Sequence, residues 1–137
     1  MDRDEIIKGF LICAIFTAED ENLYGSIDHQ DCDEMAHEIA GAAADAVLKF
    51  VEDNNLTLPD YLEYPASLQS PAFSFGVDIW FSASGSGVSF KDREGDPDVL
   101  EKLTEFCRTR LAQIEHAETW FDEETNKFRI SIYQRNF

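Results

Sequence analysis

The chain has 137 residues, with 28 acidic against 11 basic side chains, a formal charge of minus 17 and a sequence pI of about 4.3. That length suits one hydrophobic core, and a 44% hydrophobic fraction with 11 Phe, 4 Tyr and 2 Trp excludes a disordered acidic tail. A negative field on this scale repels nucleic acid and anionic membrane and speeds encounter with basic partners.

Ile6, Ile7, Phe10, Leu11, Ala14 and Ile15 recur at the spacing of an amphipathic helix, the favoured reading, while the β-branched run through Phe16 leaves a strand as the alternative. An acidic loop follows from Glu19 to Gln30, holds Gly25, and runs into the cluster Asp28, Asp31 and Asp33. Asp31 and Glu34 have the spacing of a capping box, which predicts a second helix from that point.

That helix carries Met35, Ile39, Ala43, Ala46, Val47 and Phe50 on one face, and Asn54-Asn55 supplies its stop. At about 100° per residue, Glu34, Glu38, Asp45 and Glu52 fall within a sector of about 40° on the opposite face. The result is a stripe of carboxylates along a rigid element. Its bland counterpart is an ordinary solvated helix face.

Pro59, Pro65 and Pro71, with Tyr61 and Tyr64 between them, make the Leu56–Pro71 segment read as an ordered connection. Phe73, Phe75, Val77, Ile79 and Phe81 then alternate with smaller residues, the period of a strand that buries one face and turns Asp78 and Trp80 outward. Gly85-Ser86-Gly87 offers a tight reversal into a second strand at Val88–Asp92, hence a hairpin. Asp96 before Pro97 starts a third helix, with Leu100, Leu103, Phe106, Cys107, Leu111 and Ile114 as its buried face. A last hairpin joins Ala117–Phe121 to Lys127–Tyr133, with Phe128, Ile130 and Ile132 turned inward.

The expected fold is a single α+β domain over residues 1–137, a four-stranded antiparallel sheet of two hairpins with about three helices packed on one face. The other sheet face is expected to be partly open.

Cys13, Cys32 and Cys107 are odd in number and irregular in spacing, which fits core residues in a reducing compartment better than a disulfide framework. Asp2, Asp4 and Glu5 stand where a secretory signal needs bases, and the apolar run Gly9–Phe16 is far short of the roughly 20 residues of a membrane span. A cytosolic location is expected.

Asp28, His29, Cys32 and His37 lie close in sequence but match no tetrahedral ligand spacing, so neither metal nor cofactor is expected. Gly85-Ser86-Gly87 lacks the lysine and hydroxyl of a phosphate loop. No nucleophile stands in a recognisable elbow, and His29, His37 and His116 are the available imidazole bases. The expectation is a non-enzyme. Arg108 and Arg110 read as helix C-terminal charges, so direct nucleic-acid binding is not expected either.

Asp78-Ile79-Trp80-Phe81, then Gly85-Ser86-Gly87, then Phe90-Lys91-Asp92-Arg93 resembles a motif in a family of small acidic bacteriophage and prophage proteins. Those relatives read aspartate, aromatic, Trp, aliphatic, a Gly-His-Gly turn, then Phe-Trp-Asp-Arg. Ser86 replaces the turn histidine here, and Val77 stands where a histidine usually precedes the aspartate. The resemblance implies a phage setting and a shared fold but no reaction, with Trp80, Asp92 and Arg93 as a common surface.

Charge and resemblance together lead to an expected function. It is a phage-encoded inhibitor, of the anti-CRISPR or anti-restriction type, acting in the cytoplasm of the bacterial host. A DNA-mimicking surface of Asp28, Asp31, Asp33, Glu34, Glu38, Asp45 and Glu52 would occupy the basic groove of a CRISPR effector or restriction enzyme. The alternatives are an assembly protein or homodimeric adaptor using Trp80 on an open sheet face, and an acidic metal-dependent hydrolase using Asp28 and Asp31.

Overall fold

In the computed structural model, which describes residues 2–17, 29–58, 70–85, 89–111 and 118–131, four helices and one hairpin share a single core. Helix α1 spans Arg3–Thr17, α2 Glu34–Asp53, α3 Pro71–Ser84 and α4 Pro97–Arg110. Strands β1 (Glu118–Asp122) and β2 (Lys127–Ser131) form the hairpin, and short 3₁₀ turns occupy His29–Asp31 and Phe90–Asp92.

The expected four-stranded sheet is therefore wrong. Among the described residues the sheet has two strands, and the segment read as a strand from Phe73 to Phe81 is the central helix α3. The Ser70 hydroxyl caps it by accepting the Phe73 N–H at 3.1 Å, Pro71 occupies its first turn, and Gly85 closes it in the left-handed region at φ 70°. The alternation that imitated a strand dissolves once the intervening residues are counted. Ala72, Gly76, Trp80 and Ala83 are buried along with Phe73, Phe75 and Ile79, so α3 is covered nearly all round, as an interior helix must be. The first hairpin goes with that strand, since Gly85 is a helix cap and Phe90–Asp92 is a 3₁₀ turn.

Helix α1 has the extent its spacing predicts and packs against α3 at a backbone-to-backbone crossing. A Cβ on Gly9 would lie 2.8 Å from the Phe73 carbonyl carbon, and one on Gly76 would lie 2.9 Å from the Ile6 carbonyl carbon and the Phe10 nitrogen. Only hydrogen fits at either place. The two glycines let the helices approach until their Cα hydrogens face the opposing carbonyls, a contact recurrent at close helix pairs.

Helix α2 starts where expected but on a different cap. Asp33, not Asp31, accepts the Ala36 N–H at 2.9 Å, while Asp31 closes the preceding 3₁₀ turn. The buried face is also rotated from the expected one: Ala36, Ala40, Gly41, Ala43, Ala44 and Val47 face inward and Met35 is 54% exposed. Small residues win because α2 lies close over α1 and the hairpin. Phe50 reaches past this face to stack on Phe106 of α4, with centroids 4.2 Å apart and planes 13° from parallel.

Helix α4 begins at the expected Asp96-Pro97 signal, with Asp96 accepting the Asp98 N–H at 2.9 Å, and buries Leu100, Leu103, Thr104 and Cys107. The closing hairpin forms where expected, with Phe121 opposite Phe128 and Thr119 opposite Ile130, and it draws Asp122 from the expected loop into the strand opposite Lys127. Asn126, at φ 58°, turns the loop. Phe128 and Ile130 enter the core, and the Asp33 N–H donates to the Phe128 carbonyl at 2.9 Å, tying the start of α2 to β2. Asp28, Ile114, Ile132, Tyr133 and most of the Leu56–Pro71 connection lie outside the described residues.

Candidate functional site

Two groups of residues merit examination, the motif between residues 78 and 93 and the carboxylates on the helix surfaces. The motif turns inward. Asp78 is fully buried in the middle of α3, where a lone charge would cost several kcal/mol. Arg93 compensates it, donating from Nη2 to Oδ1 at 2.6 Å and from Nε to both carboxylate oxygens at 3.1 Å. This forked, charge-assisted geometry suits arginine in particular.

The rest of the motif fastens the same corner. The Ser82 hydroxyl accepts the Phe90 N–H at 3.3 Å, the Thr104 hydroxyl accepts the Lys91 N–H at 3.1 Å, and Asp92 accepts the Ser89 N–H at 2.9 Å. Trp80, expected to point outward, is 4% exposed. Its indole N–H donates to the Thr17 hydroxyl at 2.9 Å, and its ring meets Phe10 edge to face at 5.2 Å. Trp80 is thus a core residue, and the pair Asp78–Arg93 is a buried tie between α3 and the turn before α4. Of the expected common surface, Asp92 alone is exposed.

Asp78 also colours its surroundings. Burial, reinforced by the Asp78 charge, pushes the Cys13 and Cys107 thiols up to about 12, so neither is a nucleophile at neutral pH. A shallow depression beside the motif is lined by Lys91, Arg93, Gly95, Pro97, Leu100 and Glu101. Its cations are matched by the neighbouring exposed Asp92, Glu94 and Glu101, which leaves no concentrated positive site.

The carboxylates divide by what they touch. Glu34, Glu38 and Glu52 are exposed on α2 as expected. Asp45 lies on the same stripe, yet Arg3 of α1 grips it with a fork of 2.7 and 3.1 Å. The hydrogen bond from Arg3 holds the Asp45 carboxyl below its ordinary range. Exposed Lys49 lies about 40° around the helix from Asp45 and adds a second cation. Asp33 is occupied as the helix cap and lies 3.8 Å from Arg129. The stripe is therefore strongest at its first turn, Glu34 to Glu38, and recovers at Glu52 and Asp53.

Sequence reading missed two features. Asp98, Glu101 and Glu105 stand exposed on α4 at a spacing of three and four that was open to inspection, interleaved with exposed Lys102 and Arg108. Trp120, 41% exposed on the outer face of the hairpin, carried a signal in its alternation with the inward Phe121.

Arg129, opposite Trp120, has its Nε 2.7 Å from Asp122 Oδ2, though that N–H is not aimed along the contact and makes no hydrogen bond. The distance defines an ion pair all the same, since charge attraction does not require the alignment a hydrogen bond does.

Among the described residues no group of three or more His, Cys, Asp or Glu is arranged to hold a metal ion, and no helix is long and apolar enough to cross a membrane. Compared with known proteins, the chain matches no family model, no curated protein and no solved structure.

Proposed function

We propose that the protein is a phage-encoded, non-enzymatic inhibitor that binds a basic, nucleic-acid-binding host protein, such as a CRISPR effector or restriction enzyme, in the bacterial cytoplasm. The observation that carries this reading is the disposition of the negative charge. A body of net charge minus 17 presents Glu34, Glu38 and Glu52 on α2 and Asp98, Glu101 and Glu105 on α4 as exposed carboxylates on regular helices. Rigid spacing lowers the ordering cost of binding, and the summed field steers a cationic partner toward the surface. Asp33 and Asp45 contribute less than their positions in sequence suggest, since each has a partner within the chain.

The dimeric adaptor built on Trp80 loses its surface, because Trp80 is in the core and the open sheet is absent among the described residues. The motif that resembles phage proteins supports the phage setting through its residues alone, and its buried ion pair assigns it to holding the fold.

The test is capture from the natural host with the tagged chain, beside a variant carrying Glu34→Lys, Glu38→Lys and Glu52→Lys. The reading expects a nucleic-acid-binding protein that is retained by the parent, released by salt and lost with the variant. Recovery of the same partner by both proteins would remove α2 as the contact, and capture of no such partner would remove the function.

A further inference from the structure

Among the described residues the hairpin has one edge tied and one edge with no bonded neighbour. Phe128 turns its carbonyl away from β1 to the Asp33 N–H at 2.9 Å. In an antiparallel pair the N–H and C=O of a residue point to the same side, and residues opposite one another share the pattern. Phe121, opposite Phe128, therefore turns both groups away from β2, and so does Thr119 two residues earlier. Among the described residues no group bonds to this edge. Trp120, between the two, projects from the outer face of the sheet.

We propose that β1 is a strand-addition site for an extended segment of the partner that carries Arg or Lys, with Trp120 stacking on one of its cationic side chains. This rests on the reading of a basic partner and says where such a partner engages. Charge selects the occupant. Exposed Glu123 and Glu124 continue from the end of β1, and exposed Glu34 follows the Asp33 cap that is bonded to the far side of β2, about 10 Å away.

A second copy is the poorer occupant. Antiparallel pairing of β1 with itself about Trp120 brings together two bodies of charge minus 17.

The probe is a six-residue peptide of alternating Arg and Val, acetylated and amidated, with the Glu–Val peptide as control. Binding to the full chain is followed by amide exchange and by tryptophan emission. The Arg–Val peptide should slow exchange at Thr119 and Phe121, and Trp120→Ala should weaken it about five- to tenfold. Thr119→Pro removes one edge N–H without touching the ladder to β2 and should weaken it similarly. A native circular dichroism spectrum and the buried emission of Trp80 establish that each variant is folded.

No binding at millimolar peptide, equal binding of the Glu–Val peptide, or binding indifferent to Trp120→Ala overturns the site. So does a Trp120-dependent dimer in sedimentation. In host capture the two readings separate. A partner lost with the α2 charge reversal but kept by Trp120→Ala and Thr119→Pro overturns the β1 site and leaves the acidic inhibitor. Peptide binding that depends on Trp120, with no nucleic-acid-binding partner captured, supports the edge and overturns the inhibitor.

Discussion

Replacing Gly76 by alanine tests the central packing. In an exposed helix that exchange gains about 1 kcal/mol from helix propensity. Here the new Cβ would stand 2.9 Å from the Ile6 carbonyl carbon and from the Phe10 nitrogen, where ordinary contact begins at 3.4 Å. The obstacles are backbone atoms, the Ile6 carbonyl oxygen nearest of all, so no rotamer change relieves them, and α1 and α3 must part by about an ångström. A gap of that size forfeits about half of the dispersion energy of each contact along the crossing. Overpacking of this kind costs about 1–3 kcal/mol and occasionally more. With the propensity gain deducted, Gly76→Ala should lose about 2 kcal/mol, near the severe end for a backbone clash.

Urea unfolding followed by circular dichroism measures this directly, as a midpoint lowered by about 1 M at an unchanged slope. Gly41→Ala is the internal control. Its Cβ would meet only the far end of the Arg3 side chain, with Nη2 at 2.7 Å and Cζ at 3.6 Å, and that side chain can swing away. Stability should hold or rise by up to about 1 kcal/mol. A Gly76→Ala midpoint at or above the parent, or a Gly41→Ala loss as large as that of Gly76→Ala, would refute the crossing as described.

Removing Arg93 as Arg93→Ala takes the forked cation from the buried Asp78 and should cost about 3–5 kcal/mol in thermal or urea unfolding. Arg93→Lys should recover less than half, because a point charge cannot reproduce the fork, and full recovery by lysine would contradict that geometry. The Cys13 and Cys107 thiols, raised to about 12 by burial first and the Asp78 charge second, should resist thiol reagents at neutral pH until the chain unfolds. Their protons also give stability a pH dependence. The folded values lie above the unfolded reference of 9.0, so the unfolded chain ionises first and stability is lost between about pH 9 and 12. The slope approaches about 1.4 kcal/mol per pH unit for each thiol, and pairing Cys13→Ala with Cys107→Ala should flatten it. Acrylamide should quench Trp120 readily and Trp80 poorly, and Trp120→Phe should leave the blue-shifted emission, an outcome that equal quenching would deny.

The resemblance in the motif pointed to a surface and the structure turned it inward. Trp80 and Arg93 were expected on a common surface with Asp92, and Arg93 in particular looked exposed because charged side chains are almost never buried unless paired. What decides burial here is the pairing itself: Arg93 comes from a turn fifteen residues from Asp78, and Thr17, which receives the Trp80 indole, from another helix. Such partners are invisible to local spacing. The acids of α2 show the converse. Helical geometry correctly predicted exposure of Glu34, Glu38, Asp45 and Glu52, while the Arg3–Asp45 fork depends on how α1 lies beside α2.

Local chemistry marked three of the four helices and the last hairpin in advance, α2 and α4 by their amphipathic periods and the Asp96-Pro97 start, and α1 by an apolar spacing that also left a strand reading open. It determined as well that the protein is acidic throughout a folded body. Helix α3 was decided by the tertiary structure. Its sequence is apolar on every side, so period two and period 3.6 fit equally well, and a period identifies an element only when one face is left polar. Ser70-Pro71 and Gly85 marked its ends, but the force that makes it a helix is burial against α1 and α4, where a helix satisfies its own backbone and two glycines let it sit close. The outward turn of the Thr119 and Phe121 amides is likewise read from one long-range bond, Asp33 to Phe128, which shows the side to which each residue of the hairpin turns its amides.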